Sequence, residues 1–432
     1  ALSPAAPGAR CSLQVTDGAR RYPQRQREAL RYALDVRQAG RPGRRLPLGS
    51  VIAVGGGRRV EAEREATPLM RLARLEGDLH LALWAKRDDL FAASGGGNKA
   101  RKMAPILAEA ERHGCDALVT TGGVQSNHAR AAALEAARRG WACVLVLHGV
   151  PGQLAQPPGN LLLSRLTGAE VRIVSPAAIA TGIELAMQQL RDQGRRPWMI
   201  PGGGHCLAGS LAYVDAVAEL AEQCRHRSWW PDCVVVASGT GTTQAGIIAG
   251  FQRLGMFPRV IGVSTARRRG LAEGVVRAAY EEACAELGIP PRRGVVEVRD
   301  EWMGDGYERP TEAGLAAIRL AAAREGLILD PTYTGKAFAA LLELAARGEF
   351  REARNVLFWH TGGLLNLLAS PCFATVPGES PDPGGAATVA GEALAVHTAP
   401  FPLPPDPQTG DPDASASLRP GPTCETERRS EW

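Results

Sequence analysis

Ser94-Gly95-Gly96-Gly97-Asn98-Lys99-Ala100-Arg101-Lys102, and then Gly114-Cys115-Asp116-Ala117-Leu118-Val119-Thr120-Thr121-Gly122-Gly123-Val124-Gln125-Ser126-Asn127-His128, is the stretch that decides the fold. Twice within it an apolar run gives way to a glycine turn and then to a helical pattern. Leu79 to Ala85 reads as the strand before the first turn, with a helix from Lys99. Ala117 to Thr121 reads as the strand before the second, with a helix from Ser126, and Ala142 to Leu147 reads as the next strand. Outward from there, Val171 to Val174, Trp198 to Ile200, Cys233 to Ala237, Val260 to Val263 and Asn355 to His360 repeat the pattern, each followed by a helical segment. Apolar, β-branched runs separated by helices predict an α/β protein whose parallel sheets are flanked by helices on both faces.

Three glycine-rich turns fall directly after predicted strands, where open α/β sheets bind ligands. The third, Gly239-Thr240-Gly241-Thr242-Thr243, offers successive N–H groups, hydroxyls and a helix start, which together suit one phosphate; alone it reads equally as a plain connection. No lysine follows it, as a nucleotide-binding P-loop would require. The first turn sets Lys99 at a helix N-terminus, where the dipole would lower its pKa and favour a free amine, although an isolated Gly-Asn-Lys is also a common surface loop. In the second, Ser126, Asn127 and His128 stand at another helix start, suited to a substrate carboxylate or simply to capping and packing.

Of the 50 basic residues only Lys86, Lys99, Lys102 and Lys336 are lysines. A chain that uses arginine wherever a fixed charge suffices concentrates lysine at sites that need a deprotonatable amine. Lys86 and Lys336 also read as leftover surface lysines. The nine cysteines are scattered without a C-x-x-C pair, as expected of free thiols in the cytoplasm, and the eight histidines show no metal-binding spacing, so no metal is expected. No apolar run approaches the roughly 20 residues of a membrane span, and no export signal is read at Ala1. A net charge of +5 spread among arginines, with only 5% aromatic residues, reads as solvated surface rather than a nucleic-acid face. Residues 1–45 form an Arg- and Pro-rich extension with one helical stretch, Gln24 to Gln38, and residues 374–432 read as a disordered Pro-rich tail.

In their order, G-G-N-K-x-R-K and then G-C-D-A-L-V-T-T-G-G-V-Q-S-N-H-x-R closely resemble the family of D-cysteine desulfhydrases and 1-aminocyclopropane-1-carboxylate deaminases, across roughly Thr67 to Leu368. The resemblance implies pyridoxal 5′-phosphate as cofactor and a two-domain fold of the tryptophan synthase β type (fold type II), with the cofactor in the interdomain cleft. The larger domain would span 46–99 and 214–373, and the smaller 100–213. It further implies Lys99 as the Schiff-base lysine, Asn127 as partner of the ring's phenolic oxygen, Gly239 to Thr243 as the phosphate cup, and Thr361 beside the cofactor. Ser126, Asn127 and His128 would face the substrate, with Tyr307 and Tyr333 assisting proton transfer, and His205 stands in the expected substrate loop, where it would shape the wall. Thr334 and Thr361 match the desulfhydrase branch, where a hydroxyl near the pyridine nitrogen favours elimination. The implied reaction is β-elimination on a small amino acid by a cytoplasmic homodimer. β-Replacement, ring-opening deamination and a non-catalytic cofactor-binding regulator are the alternatives. Pro201-Gly202-Gly203-Gly204-His205-Cys206 and Leu364-Leu365-Asn366 depart from the family pattern and bear on substrate identity.

Overall fold

A computed structural model of the chain describes residues 66–149 and 158–373. The helical stretch expected at Gln24 to Gln38 and the expected tail lie outside the described residues. Ten strands form two sheets. The larger joins β1 (Leu69–Arg71), β2 (Ala82–Arg87), β7 (Cys233–Ser238), β8 (Arg259–Ser264), β9 (Glu297–Arg299) and β10 (Asn355–His360) in the order β1-β2-β10-β7-β8-β9. Only β1 runs antiparallel to its neighbour. The smaller joins β3 (Ala117–Gly123), β4 (Ala142–His148), β5 (Glu170–Val174) and β6 (Pro197–Ile200) in the order β5-β4-β3-β6, all parallel. This is the α/β architecture expected from the sequence.

The central strands are apolar at successive positions because both of their faces are covered. In β7, Val234 and Val236 enter one core cluster while Cys233, Val235 and Ala237 enter the cluster on the opposite face. β10 divides in the same way, Leu357 and Trp359 against Val356 and Phe358. The small sheet repeats this: Leu145 and Leu147 face one side and Val144 and Val146 the other. The covering helices that bear on the site are α2 (Gly97–Arg112), α3 (Asn127–Arg138), α4 (Gly159–Leu166), α6 (Leu207–Arg227), α7 (Thr242–Arg253), α10 (Thr334–Ala346) and the short α11 (Leu364–Leu368); α1 (Ala73–Leu79), α5 (Ile179–Asp192), α8 (Arg269–Leu287) and α9 (Glu312–Glu325) complete the layers.

One strand begins later than expected, six others extend one or two residues beyond their expected bounds, and two are new. The strand expected from Leu79 begins at Ala82, because Leu79 closes α1 and His80 caps it in a left-handed conformation. β1 and β9 have three residues each, too short to show an alternation.

In the small sheet the chain steps from β3 outward to β4 and β5, then returns to place β6 on the other side of β3. In the large sheet β8 lies on one side of β7 and β10 on the other. Such reversals open a crevice at the carboxyl ends of the flanking strands. Here those ends carry Thr121-Gly122-Gly123 and Pro201-Gly202-Gly203 in the small sheet, and Ser238-Gly239 and Thr361-Gly362 in the large one.

Candidate active site

The four strand ends surround a single cavity of about 700 Å³. Helix α2 brings Lys99 to it. The turn before α2 is left-handed at Ser94, Gly95, Gly96 and Gly97, and a Cβ on Gly96 would stand 2.4 Å from the carbonyl oxygen of Asp89. The positive φ at Gly95, Gly96 and Gly97, with that crowding at Gly96, suits three consecutive glycines. The other side of α2 is held by a buried charged network: Arg101 donates to Asp88 at 2.8 Å and to Glu219 at 2.8 Å, while Tyr213 and Trp359 donate to Asp88 at 2.6 and 2.8 Å. The helix that carries Lys99 is thereby fixed to α6 and to the large sheet.

Lys99 Nζ donates to the carbonyl of Gly203 at 3.0 Å, and loss of water around it lowers its pKa to about 8. Burial is the cause of this shift. Among the described lysines Lys99 alone borders the cavity. The surface reading of Lys86 and Lys336 is corrected: both side chains are 0% exposed. Lys86 bonds the carbonyl of Thr67, Gln223 and Glu219. Lys336 donates to the carbonyls of Met303 and Gly306 at 2.8 and 3.0 Å, tying down the loop that carries Tyr307. Lys102 is equally buried, and burial with the neighbouring Lys99 charge depresses its pKa far below the lysine range.

Opposite Lys99 stands the turn that opens α7. Gly239, Thr240, Gly241 and Thr243 line the cavity, while the Thr242 side chain lies behind, fully buried and 2.7 Å from Nδ1 of His205. Asn98 Nδ2 donates to Thr243 Oγ1 at 3.1 Å and its backbone N–H to the carbonyl of Thr361 at 2.9 Å, which joins the lysine turn to both large-sheet strand ends. The side chain of Thr265, next to this turn, is buried with an unpartnered hydroxyl. Open N–H groups at a helix start, threonine hydroxyls and a spare buried hydroxyl suit a phosphate, and the Lys99 amine faces the same space. Pyridoxal phosphate requires both a phosphate seat and a free amine.

Gly203 marks how closely the two parts approach. Its φ is +73°, and a Cβ there would stand 2.8 Å from Thr240 Cγ2 and 3.3 Å from Lys99 Nζ. Gly203→Ala is expected to reduce bound cofactor several-fold, because the methyl group fills the space between amine and phosphate seat and the backbone conformation costs about 1 kcal/mol. Cofactor stoichiometry of the purified variant measures this, and full occupancy would rule out that seat.

Ser126 caps α3, its Oγ accepting from Ala129 N–H at 3.2 Å, and it also borders the cavity with Asn127 and His128. His128 is 1% exposed. The single hydroxyl hydrogen of Thr120 goes to the Ile200 carbonyl at 2.7 Å, so the 2.8 Å contact with His128 Nε2 is a donation from the ring. Burial and the charges of Lys99 and Lys102 hold that ring neutral. His205 is held neutral chiefly by burial too, aided by Lys102, Arg267 and Lys99. Tyr307 and Tyr333 meet hydroxyl to hydroxyl at 2.6 Å, and burial raises both pKa values above the ordinary phenol range. Thr361 borders the cavity, whereas the Thr334 hydroxyl turns away, donating to Asp330 at 2.7 Å.

Some lining residues escaped the sequence reading. Arg267 borders the cavity and donates to the carbonyl of Gly239, yet in the run Arg267-Arg268-Arg269 nothing separates it from surface arginines. His148, Pro176 and Ile179 add a wall from the small sheet. His148 ends β4 and was legible only as a strand terminus.

Residues 60–362 match the family described as pyridoxal-phosphate dependent enzyme. The chain is 37% identical over 321 residues to a D-cysteine desulfhydrase of Yersinia enterocolitica, covering 72% of this chain and 95% of that protein. It is 37% identical over 322 residues to a D-cysteine desulfhydrase of Klebsiella pneumoniae, with the same coverage of 72% and 95%. Among solved structures it is similar to an ACC deaminase homologue, with a TM-score of 0.65 and 34% identity over 72% of this chain and 93% of that one.

Proposed function

Since the chain belongs to the pyridoxal-phosphate-dependent enzyme family, with curated relatives that are D-cysteine desulfhydrases, we propose that it eliminates the β-substituent of a small amino acid, with D-cysteine as substrate and Lys99 as the residue that holds the cofactor. The observation that carries this reading is the meeting, in one cavity, of a lysine amine with a lowered pKa, a phosphate-seating turn and two hydrogen-bonded phenols. The 37% identity to D-cysteine desulfhydrases supports the substrate.

The chemistry supplied by bound pyridoxal phosphate is electron withdrawal that makes the Cα–H bond of an attached amino acid acidic. Everything else falls to the chain. Gly239, Thr240, Gly241 and Thr243 would hold the phosphate, with Thr242 fixing His205 from behind; Asn127 and Thr361 would hold the ring. The N–H groups at the start of α3, with the Ser126 hydroxyl, would receive the substrate carboxylate. His128 and His205, both neutral, would shape that wall without adding charge. The Lys99 amine would be placed to take the α-proton, and Tyr307 or Tyr333 would give a proton to the leaving sulfur. With water, D-cysteine would yield hydrogen sulfide, pyruvate and ammonia in equal amounts.

The two sheets support a division into a small domain at 100–213 and a large one at 46–99 and 214–373. The seven described cysteines are free, which accords with a cytoplasmic location, and no described helix is long and apolar enough to cross a membrane. We take the working assembly to be a homodimer.

Incubating the purified enzyme with D- and L-cysteine, and assaying sulfide and pyruvate with and without an added thiol, tests the reaction. Equal sulfide and pyruvate from D-cysteine, undiminished by the thiol, is the expected result. A thioether formed at the expense of pyruvate would make the enzyme a replacement catalyst, and a 2-oxo acid from 1-aminocyclopropane-1-carboxylate alone would make it a ring-opening deaminase.

A further inference from the structure

Asn366 is the one polar side chain in the apolar turn Leu364–Leu368, and it is only 7% exposed. Its Oδ1 accepts from Asn160 Nδ2 at 2.6 Å. Asn160, at the start of α4 and 1% exposed, is the centre of a small network. Arg130 Nε donates to Asn160 Oδ1 at 2.9 Å. Since a guanidinium carries no acceptor, the atom of Asn160 that faces it is the oxygen. The amino group of Asn160 therefore points the other way, where its two hydrogens are shared among three acceptors, the backbone carbonyl of Gln125 at 3.1 Å, Asn127 Oδ1 at 3.1 Å and Asn366 Oδ1 at 2.6 Å. The Gln125 carbonyl can only accept, so it fixes the same orientation independently. Polarity passes along this chain to Asn127: its oxygen is engaged by Asn160, which leaves its amino group as the donor for the cavity it borders.

We propose that Asn160, braced by Arg130 and Asn366, is a positioning residue that locks the Asn127 amide with its amino group available to the phenolic oxygen of pyridoxal phosphate. The inference rests on the reading of Asn127 as the partner of that oxygen. A buried amide without such a brace has two orientations of similar shape, one of which would present an oxygen to an oxygen. Asn366 would act at one further remove, engaging the Asn160 amino group from α11 and so drawing the last helix of the large-sheet half into the cofactor's surroundings.

Asn160→Asp is the decisive variant. It keeps the shape and the acceptor for Arg130 but has no hydrogen to give Asn127, whose amide then turns its amino group to the carboxylate and its oxygen to the cavity. On purified holoenzyme, the visible absorption band is recorded against pH, and the dissociation constant for cofactor is measured by titrating cofactor-stripped protein with pyridoxal phosphate. Expected are a displaced pH midpoint of the band, in the same direction as in Asn127→Ala, and about tenfold weaker cofactor binding. A merely structural role would not move the midpoint. A wild-type band and affinity in Asn160→Asp, with Asn127→Ala altered, overturns the positioning role and leaves Asn127 its assignment. A wild-type band and affinity in Asn127→Ala overturns that assignment and the inference with it. Should Asn160→Asp fail to fold, Asn160→Ala repeats the test: a midpoint displaced as in Asn127→Ala supports the positioning role, and a wild-type one overturns it.

Discussion

Lys99→Ala is expected to lose turnover by on the order of 10^4-fold and to lose the visible absorption of the bound cofactor at the same time. One side chain is asked to do two things, hold the cofactor covalently and move a proton at the substrate's α-carbon, and both depend on an amine that is neutral near physiological pH. A pKa of about 8 leaves roughly a tenth of the amine neutral at pH 7, whereas an ordinary lysine near ~10.4 would be almost wholly protonated. The other three lysines are already committed: Lys86 to the buried network that fixes α2, Lys336 to the carbonyls under the Tyr307 loop, and Lys102 to the interior behind Gly204. Lys99→Arg is expected to fail equally, because a guanidinium stays charged. Borohydride reduction of the wild type followed by peptide mass spectrometry should find the adduct on Lys99. An unchanged spectrum in Lys99→Ala would transfer attachment to Lys102, one helical turn further on and also held at low pKa.

The parts of this molecule that the sequence made legible are those whose chemistry is local. A strand buried on both faces must be apolar at every position, so Cys233-Val234-Val235-Val236-Ala237 declares itself, and a backbone held left-handed against a carbonyl must be glycine, so Gly96-Gly97 does too. Ligand-binding turns at the ends of parallel strands follow from these two facts alone. What stayed hidden depends on partners far along the chain. Lys336 is buried because carbonyls 30 and 33 residues earlier fold over it. Arg267 points inward because the Gly239 carbonyl lies there, and Thr334, which the motif alone would set beside the cofactor, spends its hydroxyl on Asp330 rather than on the cavity. The Asn160 and Asn366 contact spans 206 residues. Residue type alone carries none of these pairings.

Tyr307→Phe and Tyr333→Phe are each expected to lower kcat about 10²-fold while the cofactor spectrum is retained, and the double variant is expected to fall little below the worse single one. The hydroxyls are 2.6 Å apart, with the rings meeting edge-on at 5.9 Å, so either phenol reaches the other's proton. Burial raises both pKa values, and a weaker acid keeps its proton as pH rises; at neutral pH both hydroxyls are therefore donors, suited to protonating a leaving sulfur rather than to removing the α-proton. The same sign means that neither tyrosine should produce an alkaline decline in kcat/KM below about pH 10, the ordinary phenol range. Tyr333 lies against the Gly239 turn, its Cε1 3.6 Å from where a Cβ of Gly239 would stand, while Tyr307 hangs from the loop that Lys336 holds. The inner phenol can thus be resupplied only through the outer one if the two form a relay. Removing either hydroxyl then breaks the whole path, which is why the losses should not multiply. Measured kcat and KM for the two single variants and the double decide the matter: a double variant down by about 10^4-fold would mean two independent acids, and would separate the tyrosine meant for the sulfur from one that only packs beside it.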